Sequence, residues 1–501
     1  MKINNPMPNK EMPNKETPAK KPPTRFHLKW TDSGNADWFT LLFKDLLRYS
    51  KPEKTWYLWK STHWQPDTTG EILNLAMQAI RVVFHEASVL EEGDTKISFL
   101  KFLRSCENVS RLAAMLKLAS SKDEIRIDPS AFNRDSYLLN CINGTIDLHT
   151  GVLQPHNPLD LITKRCNTTY DPTATSKLWT RFLTESTHNT PGMLEFLHRI
   201  SGYSITGDTS ESKLFFIHGP TASGKSTFIE SIKATLGDYS QTADFETFLH
   251  RSQVGGVRND IACLKDTRFV SSIEVDEGKK LAEGLIKMIT GGDTVRARLL
   301  YQESFEFLPN FKLWLAANHS PRINDKDDAM WRRILRLPFI ESVPEDKRDP
   351  TLKSTLSNPA ISGPAILNWL VSGCLEWQTL GLSIPASIQA ATTAYRDEMD
   401  PLHDFFEECC KLGPYEVEPI SMLRMAYDHY ARSIGIKFTL SAHNFNNRIK
   451  DRQCTTSNRW LSGKVRKCWI GISLHTNVRN DLLEKIGVGV GVGVGVEGSK
   501  K

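Results

Sequence analysis

No run of about 18 apolar residues occurs in this 501-residue chain, and its first residues lack an apolar core of the signal-peptide kind. Neither a membrane span nor secretion is therefore expected. The nine cysteines are scattered, with no Cys-x-x-Cys and no Cys/His pairing at zinc spacing. Adjacent Cys409 and Cys410 suit neither a metal nor a disulfide framework. Reduced thiols in a cytoplasmic protein are the expectation. Acids are scarce in one place: from Arg424 to Arg479, eleven Lys/Arg face only Asp428 and Asp451. Such a segment is the footprint of a phosphate-backbone partner, or else a solvated basic face.

The apolar and charged fractions, 40% and 24%, are those of ordinary globular chains, and the length suits about three domains. Residues 1–25, rich in Pro, Lys and Asn, read as a disordered tail. Residues 26–200 read as a mostly helical N-terminal domain, with apolar spacings of three and four in "EILNLAMQAIRVVF". Within it, the N-G and T-G turns of "LLNCINGTIDLHTGVLQPH" predict a small β-hairpin region. Residues 201–380 alternate strands ("KLFFIHG", "RFVSSIE", "KLWLAAN", "ILRLPF") with helices, which predicts an α/β core: a mainly parallel sheet with helices on both faces. Pro364–Thr379 reads as a helical lid and Ile384–Ser387 as a linker. Residues 388–476, three short helices and a β-hairpin, have the outline of a winged helix. The "GVGVGV" repeat makes 477–501 a low-complexity tail.

Inside the α/β core, Gly219–Ser226 reads G-x-x-x-x-G-K-S between an apolar strand and a helix. Gly219 and Gly224 allow a tight turn that aims backbone amides at phosphate oxygens. Lys225 supplies a cation for the β/γ-phosphates, Ser226 an oxygen for Mg²⁺, and the helix its positive dipole end. The nucleotide-binding set is Gly219, Pro220, Thr221, Ala222, Ser223, Gly224, Lys225, Ser226 and Thr227. Phosphate chemistry of this type needs an acid on a neighbouring strand. Glu274, ending "RFVSSIE", is the candidate, with Asp276 or Glu277 assisting. Asn318, ending another apolar strand, has an amide that can position an attacking water. Arg332 and Arg333 precede a further strand, where a guanidinium can reach a γ-phosphate across a subunit boundary or form a surface ion pair.

The ordered set "GPTASGKST", "VSSIEVDEG", "TGGDTVRARLLYQESFEF", "FKLWLAANHSP" and "WRRILRLPF" resembles the superfamily 3 helicases, in the poxvirus, phage and plasmid primase-helicase branch. The likeness spans roughly residues 30–475. It implies a ring-forming AAA+-type ATPase, expected to be a hexamer, using ATP and Mg²⁺ and moving 3′ to 5′ on single-stranded DNA. Glu274 would be the Mg²⁺ and water acid, Asn318 the sensor, and Arg332 or Arg333 the finger given to the neighbouring copy. "TGGDTVRARLL" would open a pore hairpin. Alternation of Val295, Ala297 and Leu299 with Arg296 and Arg298 fits one packed and one phosphate-facing side. The tip reads "LLYQES" where relatives carry a basic residue, so Arg298 with Tyr301 becomes the gripping pair.

Lys464, Arg466 and Lys467 would anchor the winged helix to duplex DNA. Many members of the resembled branch carry a primase domain with an Asp-x-Asp metal pair; none occurs in residues 1–200, so by that resemblance a separate primase or polymerase is the expected partner. A helicase that melts origins in a bacterial host cytoplasm is the leading expectation. The alternative is a translocating or initiator ATPase that assembles on DNA without separating strands.

Overall fold

The structure, a computed structural model, describes residues 25–188, 190–250, 258–273, 279–298, 304–323, 328–400, 402–436, 439–461 and 463–485. Arg25 is buried and donates to Asn35, and the rest of the expected N-terminal tail lies outside those residues. The first body opens on α1 (Asp32–Phe43), capped by the Thr31 hydroxyl. β1 (Leu47–Ser50), β2 (Thr55–Trp59) and β3 (Trp64–Pro66) follow. Then come α2 (Glu71–Ser88), α3 (Asp94–Cys106), α4 (Val109–Ala119) and β4 (Arg126–Ile127). The four strands form one sheet ordered β3-β2-β1-β4, an addition to the helical expectation. The buried stripe Ala76, Ala79, Ile80, Val83 and Ala87 of α2 joins Trp38, Phe39 and Leu103 in a core of its own.

β5 (Leu138–Cys141), β6 (Gly144–Asp147) and β7 (Val152–Gln154) make the antiparallel unit that the turn signals predict. α5 (Lys177–Thr187) and α6 (Met193–Ser204) lead into the central sheet. Leu139, Ile146, Trp179 and Phe196 from this stretch share one core with Phe215, Phe228 and Trp314. The boundary expected near residue 200 therefore runs through a continuous core, because residues 138–204 cover one face of the central sheet.

That sheet comprises β8 (Leu214–His218), β9 (Ser240–Thr242), β10 (Phe269–Ile273), β13 (Lys312–Ala317) and β14 (Ile334–Pro338). Its order is β14-β8-β13-β10-β9, with every pairing parallel. Between these strands lie α7 (Lys225–Leu236), α8 (Asn259–Ala262), α9 (Glu283–Thr290), the hairpin β11 (Val295–Arg298) with β12 (Ser304–Phe307), and α10 (Asp328–Trp331). Side chains alternate across β8: Phe215 and Ile217 face α6 and α7, whereas Leu214 and Phe216 face α8, α9 and the β11–β12 hairpin. Burial on both faces explains the unbroken apolar runs of the four strands read from sequence.

After β14 come α11 (Leu352–Leu356), α12 (Gly363–Leu380) and α13 (Ala386–Glu398). α12 is no lid. Ile366, Leu367, Leu370 and Cys374 are fully buried, and Gly373 lies so close to α6 that a Cβ there would sit 2.1 Å from the His198 carbonyl oxygen. Nor is 384–387 a loose linker, since Pro385 caps α13, whose Ile388 and Tyr395 are buried beside edge strand β14. The Thr392 hydroxyl accepts from the Arg336 amide and so satisfies that edge.

The last body runs α14 (His403–Cys409), β15 (Cys410–Pro419), α15 (Ile420–Ser433), α16 (Ala442–Asp451), β16 (Thr455–Leu461), β17 (Lys464–Leu474) and α17 (Thr476–Lys485). Its sheet is antiparallel, ordered β15-β17-β16. The expected tail thus begins with a helix: Leu482 of α17 is buried in this body's core. Among the described residues no helix is long and apolar enough to cross a membrane.

Candidate functional site

Parallel pairing sets His218 beside Ala317 on one side and Pro338 on the other. The C-terminal ends of β8, β13 and β14 therefore converge where the Gly219–Thr227 loop begins. A Cβ on Gly219 would lie 1.8 Å from the Phe339 carbonyl oxygen, so only glycine fits. Gly224 has φ +93° and lies against Ser186 of α5. Ala222 also takes a left-handed φ of 61°. That costly conformation is held by the Val343 amide donating to Ala222 O and by the Ser342 hydroxyl donating to Thr221 O. α7 starts at Lys225, which brings its unpaired amides to the same place.

Lys225 is 8% exposed and fully engaged. Its ammonium donates to the carbonyls of Gly219 (2.7 Å) and Pro220 (2.6 Å) and to Asn318 Oδ1 (2.9 Å). Burial pulls its pKa below the ordinary lysine value. The structure thus brings together two residues 93 positions apart, Lys225 and Asn318. Asn318 also reaches the Thr221 hydroxyl at 3.4 Å. Ser226 and Thr227 are half-buried in the first turn of α7. Backbone amides, one ammonium and one hydroxyl gathered at this turn are donors of the kind that suit the phosphates of a nucleotide. For Mg²⁺ the described residues offer Ser226 but no cluster of three or more His, Cys, Asp or Glu. A metal bound largely through substrate phosphates needs no such cage. β10 ends at Ile273, and Glu274, Asp276 and Glu277 lie outside the described residues.

Three residues missed by the sequence reading border this site. His218 Nδ1 accepts from Arg336 at 2.9 Å, and Arg336 in turn pairs with Glu398 of α13 at 2.6 Å. Burial first, and then the Arg336 charge, lowers the His218 pKa to about 4, so the ring is neutral near pH 7. No local signal marks this trio, because its members come from β8, β14 and α13.

The arginine pair lies elsewhere. Ile334 pairs with Leu214 and Pro338 with His218, so Arg332 and Arg333 stand at the opposite end of the sheet from their own phosphate loop. Four strand residues separate the two ends, roughly 13 Å. Arg332 is exposed. Arg333 is half-buried, with Nη1 donating to the Ala329 carbonyl at 2.6 Å.

On β11, Val295 and Ala297 are buried while Arg296 and Arg298 are exposed, the alternation that the sequence predicts. Leu299 and Tyr301 lie outside the described residues. In the last body, ion pairs neutralise much of the basic segment: Arg424 with Asp428, Arg448 and Arg452 with Asp400, and Arg479 with Glu418. Positive charge gathers on the β16–β17 hairpin, where Lys464, Arg466 and Lys467 are all exposed. Arg459 stands directly opposite Arg466, and Trp460, 71% exposed, opposite Val465. Like charges facing across a ladder cost stability unless an anion sits between them. Arg459 and Trp460 were legible as a basic–aromatic dipeptide next to the hairpin turn.

A glycine-bounded loop between a parallel strand and a helix, its lysine meeting an asparagine from the neighbouring strand, defines the P-loop class of α/β proteins. Residues 36–188 match a family model described as D5 N terminal like, and residues 217–333 match one described as a family of unknown function, DUF5906. The candidate helicase L207/L206 of Acanthamoeba polyphaga mimivirus is 25% identical, over 70% of this chain and 40% of that protein. The candidate helicase 022R of Frog virus 3 is 25% identical, over 44% of this chain and 25% of that protein. The chain spans well under half the length of either. The apo structure of the NrS-1 C terminal region aligns with a TM-score of 0.47 at 10% identity, over 87% of this chain and 99% of that one. Residues 36–188 thus resemble the D5 N-terminal segment, and the matches together support a likeness to the D5-like superfamily 3 primase-helicases. Its relatives are from eukaryotic viruses, which lends no support to the bacterial host that a phage or plasmid origin implies.

Proposed function

We propose that this chain is the motor of a DNA helicase that hydrolyses ATP with Mg²⁺ during viral DNA replication. The observation that carries this reading is the 2.9 Å bond from Lys225 to Asn318, which joins the phosphate loop to the end of the neighbouring strand. With nucleotide bound, Lys225 exchanges its carbonyl partners for the β/γ-phosphates, and Asn318 is left to orient water. Ser226 and Glu274 would hold Mg²⁺, which neutralises charge on the phosphates. Arg332 and Arg333 lie too far from their own loop to act within one copy, and Arg332 is the exposed one. Arg332 therefore serves the neighbouring copy in a closed ring, read as a hexamer.

The order β14-β8-β13-β10-β9 supports an AAA+-type core. The succession α14-β15-α15-α16-β16-β17 supports a winged helix. Arg296 and Arg298, with Tyr301, grip single-stranded DNA in the pore and drive 3′ to 5′ movement. Lys464, Arg466 and Lys467, joined by Arg459 and Trp460, hold duplex. Lys225→Ala should abolish both ATP turnover and strand displacement on a forked duplex. Unimpaired unwinding by that variant removes the reading. Turnover without displacement in either polarity, by the unmodified chain, favours a translocating or initiator ATPase instead.

A further inference from the structure

The end of α13 touches the segment beyond β13, the strand β14 and the start of α10, and then passes into the basic body. Tyr395 donates its hydroxyl to the Pro321 carbonyl, three residues beyond Asn318. Glu398 accepts from Arg336 at 2.6 Å and from the Ser320 hydroxyl at 3.4 Å, and Arg336 holds His218 beside Gly219. Arg396 pairs at 2.7 Å with Asp328, which opens α10 one turn before Arg332. Met399 packs on the central-sheet core, while Leu402 is fully buried in the core of the last body. Asp400, between them, accepts from Arg448 at 2.8 Å and from Arg452 at 2.7 Å, one in the last turn of α16 and the other the residue that caps it.

We propose that this turn, residues 395–400, couples duplex DNA on α16 to the nucleotide site, with Asp400 as the competing anion. The proposal rests on the helicase reading above. One carboxylate holds two guanidinium groups, and all three side chains are 21–27% exposed, so phosphates can reach them. Arg forks bind phosphate and carboxylate through the same geometry. Phosphates arriving on Arg448 and Arg452 therefore displace Asp400 and repel it. Met399 and Asp400 are consecutive, so displacement of Asp400 pulls on the last turn of α13. It loosens Glu398 from Arg336 and Arg396 from Asp328. Linkage makes the coupling reciprocal: a nucleotide state that frees α13 also raises the affinity for duplex.

The test uses the full chain, a short blunt duplex and two readouts. Asp400→Asn keeps an acceptor but removes the charge. It should bind duplex about fivefold more tightly. Its turnover without DNA should approach that of the DNA-bound wild type, which brings its stimulation ratio near one. Unchanged affinity and an unchanged stimulation ratio overturn the coupling. In the wild type, duplex should speed hydrogen exchange of the amides of 395–400, a readout that needs no variant. Bound duplex that leaves this exchange unaltered overturns the coupling while ATP turnover keeps the helicase reading standing. Duplex-dependent exchange in a chain that turns over no ATP supports the coupling and overturns the helicase reading.

Discussion

Gly219→Ala isolates the geometry that builds the phosphate loop. The added Cβ would lie 1.8 Å from the Phe339 carbonyl oxygen and 2.7 Å from its carbon. Both atoms are backbone, so no rotamer change relieves the overlap, and Phe339 is fully buried. Relief requires β14's exit to move away from β8, which strains the bond from the Phe339 amide to the His218 carbonyl, now 2.8 Å. Overpacking costs about 1–3 kcal/mol, and loss of that bond adds about 1 kcal/mol. The sum is about 2–4 kcal/mol, or roughly 5–12 °C in the unfolding midpoint of a domain this size. Because the Gly219 carbonyl accepts from Lys225, affinity for a non-hydrolysable ATP analogue should fall as well. Gly284→Ala is the control, since a Cβ at that position of α9 meets nothing within 4 Å. It should be neutral or stabilising by up to about 1 kcal/mol. Calorimetry of both variants gives the comparison, and equal midpoints with equal analogue affinity would refute the steric account.

Lys312 is fully buried and donates to the Thr206 and Asp208 carbonyls, tying the segment before β8 to the base of β13. Lys312→Met, which strands those acceptors, should cost about 2–4 kcal/mol in denaturant unfolding; a loss below about 1 kcal/mol contradicts that role. His218, with a folded pKa of about 4, stays neutral while the unfolded chain takes up a proton. Stability should therefore fall as pH drops from about 6.5 to 4, by at most about 3 kcal/mol, and level off below. His218→Gln should flatten that slope in pH-dependent melts. Neutralising Lys464, Arg466 and Lys467 together should weaken duplex binding and lower its salt slope by about one unit per lost phosphate contact. An unchanged slope means that this hairpin faces solvent in the complex.

The central sheet was legible because parallel strands buried on both faces leave uninterrupted apolar runs such as "LFFIH" and "KLWLAA". α13 was not, since Pro385 and the small residues after it look like a hinge. Proline suits the start of a helix, and Ile388, Thr392 and Tyr395 keep helical spacing on its buried side. β15 was hidden by Gly413-Pro414, which ordinarily interrupts a strand, and the ladder absorbs them in an irregularity between Leu412 and Val417. The aromatic run "TWYLW" of β2 carried a strand signal that the helical periodicity around it obscured. In the site, the glycine, lysine and asparagine positions followed from motif order. The His218–Arg336–Glu398 contacts and the grip of Asp400 on α16 join residues 48 to 118 positions apart, which no local pattern encodes.

A subunit-mixing experiment tests most directly whether each nucleotide is hydrolysed between copies. Lys225→Ala spoils the phosphate loop and Arg332→Ala the arginine, so each should be inactive alone. Equimolar random mixing restores seams that pair an intact loop with an intact arginine, and turnover should recover to about a quarter of the wild-type rate. A mixture as inactive as its two components, despite demonstrated co-assembly, contradicts the account.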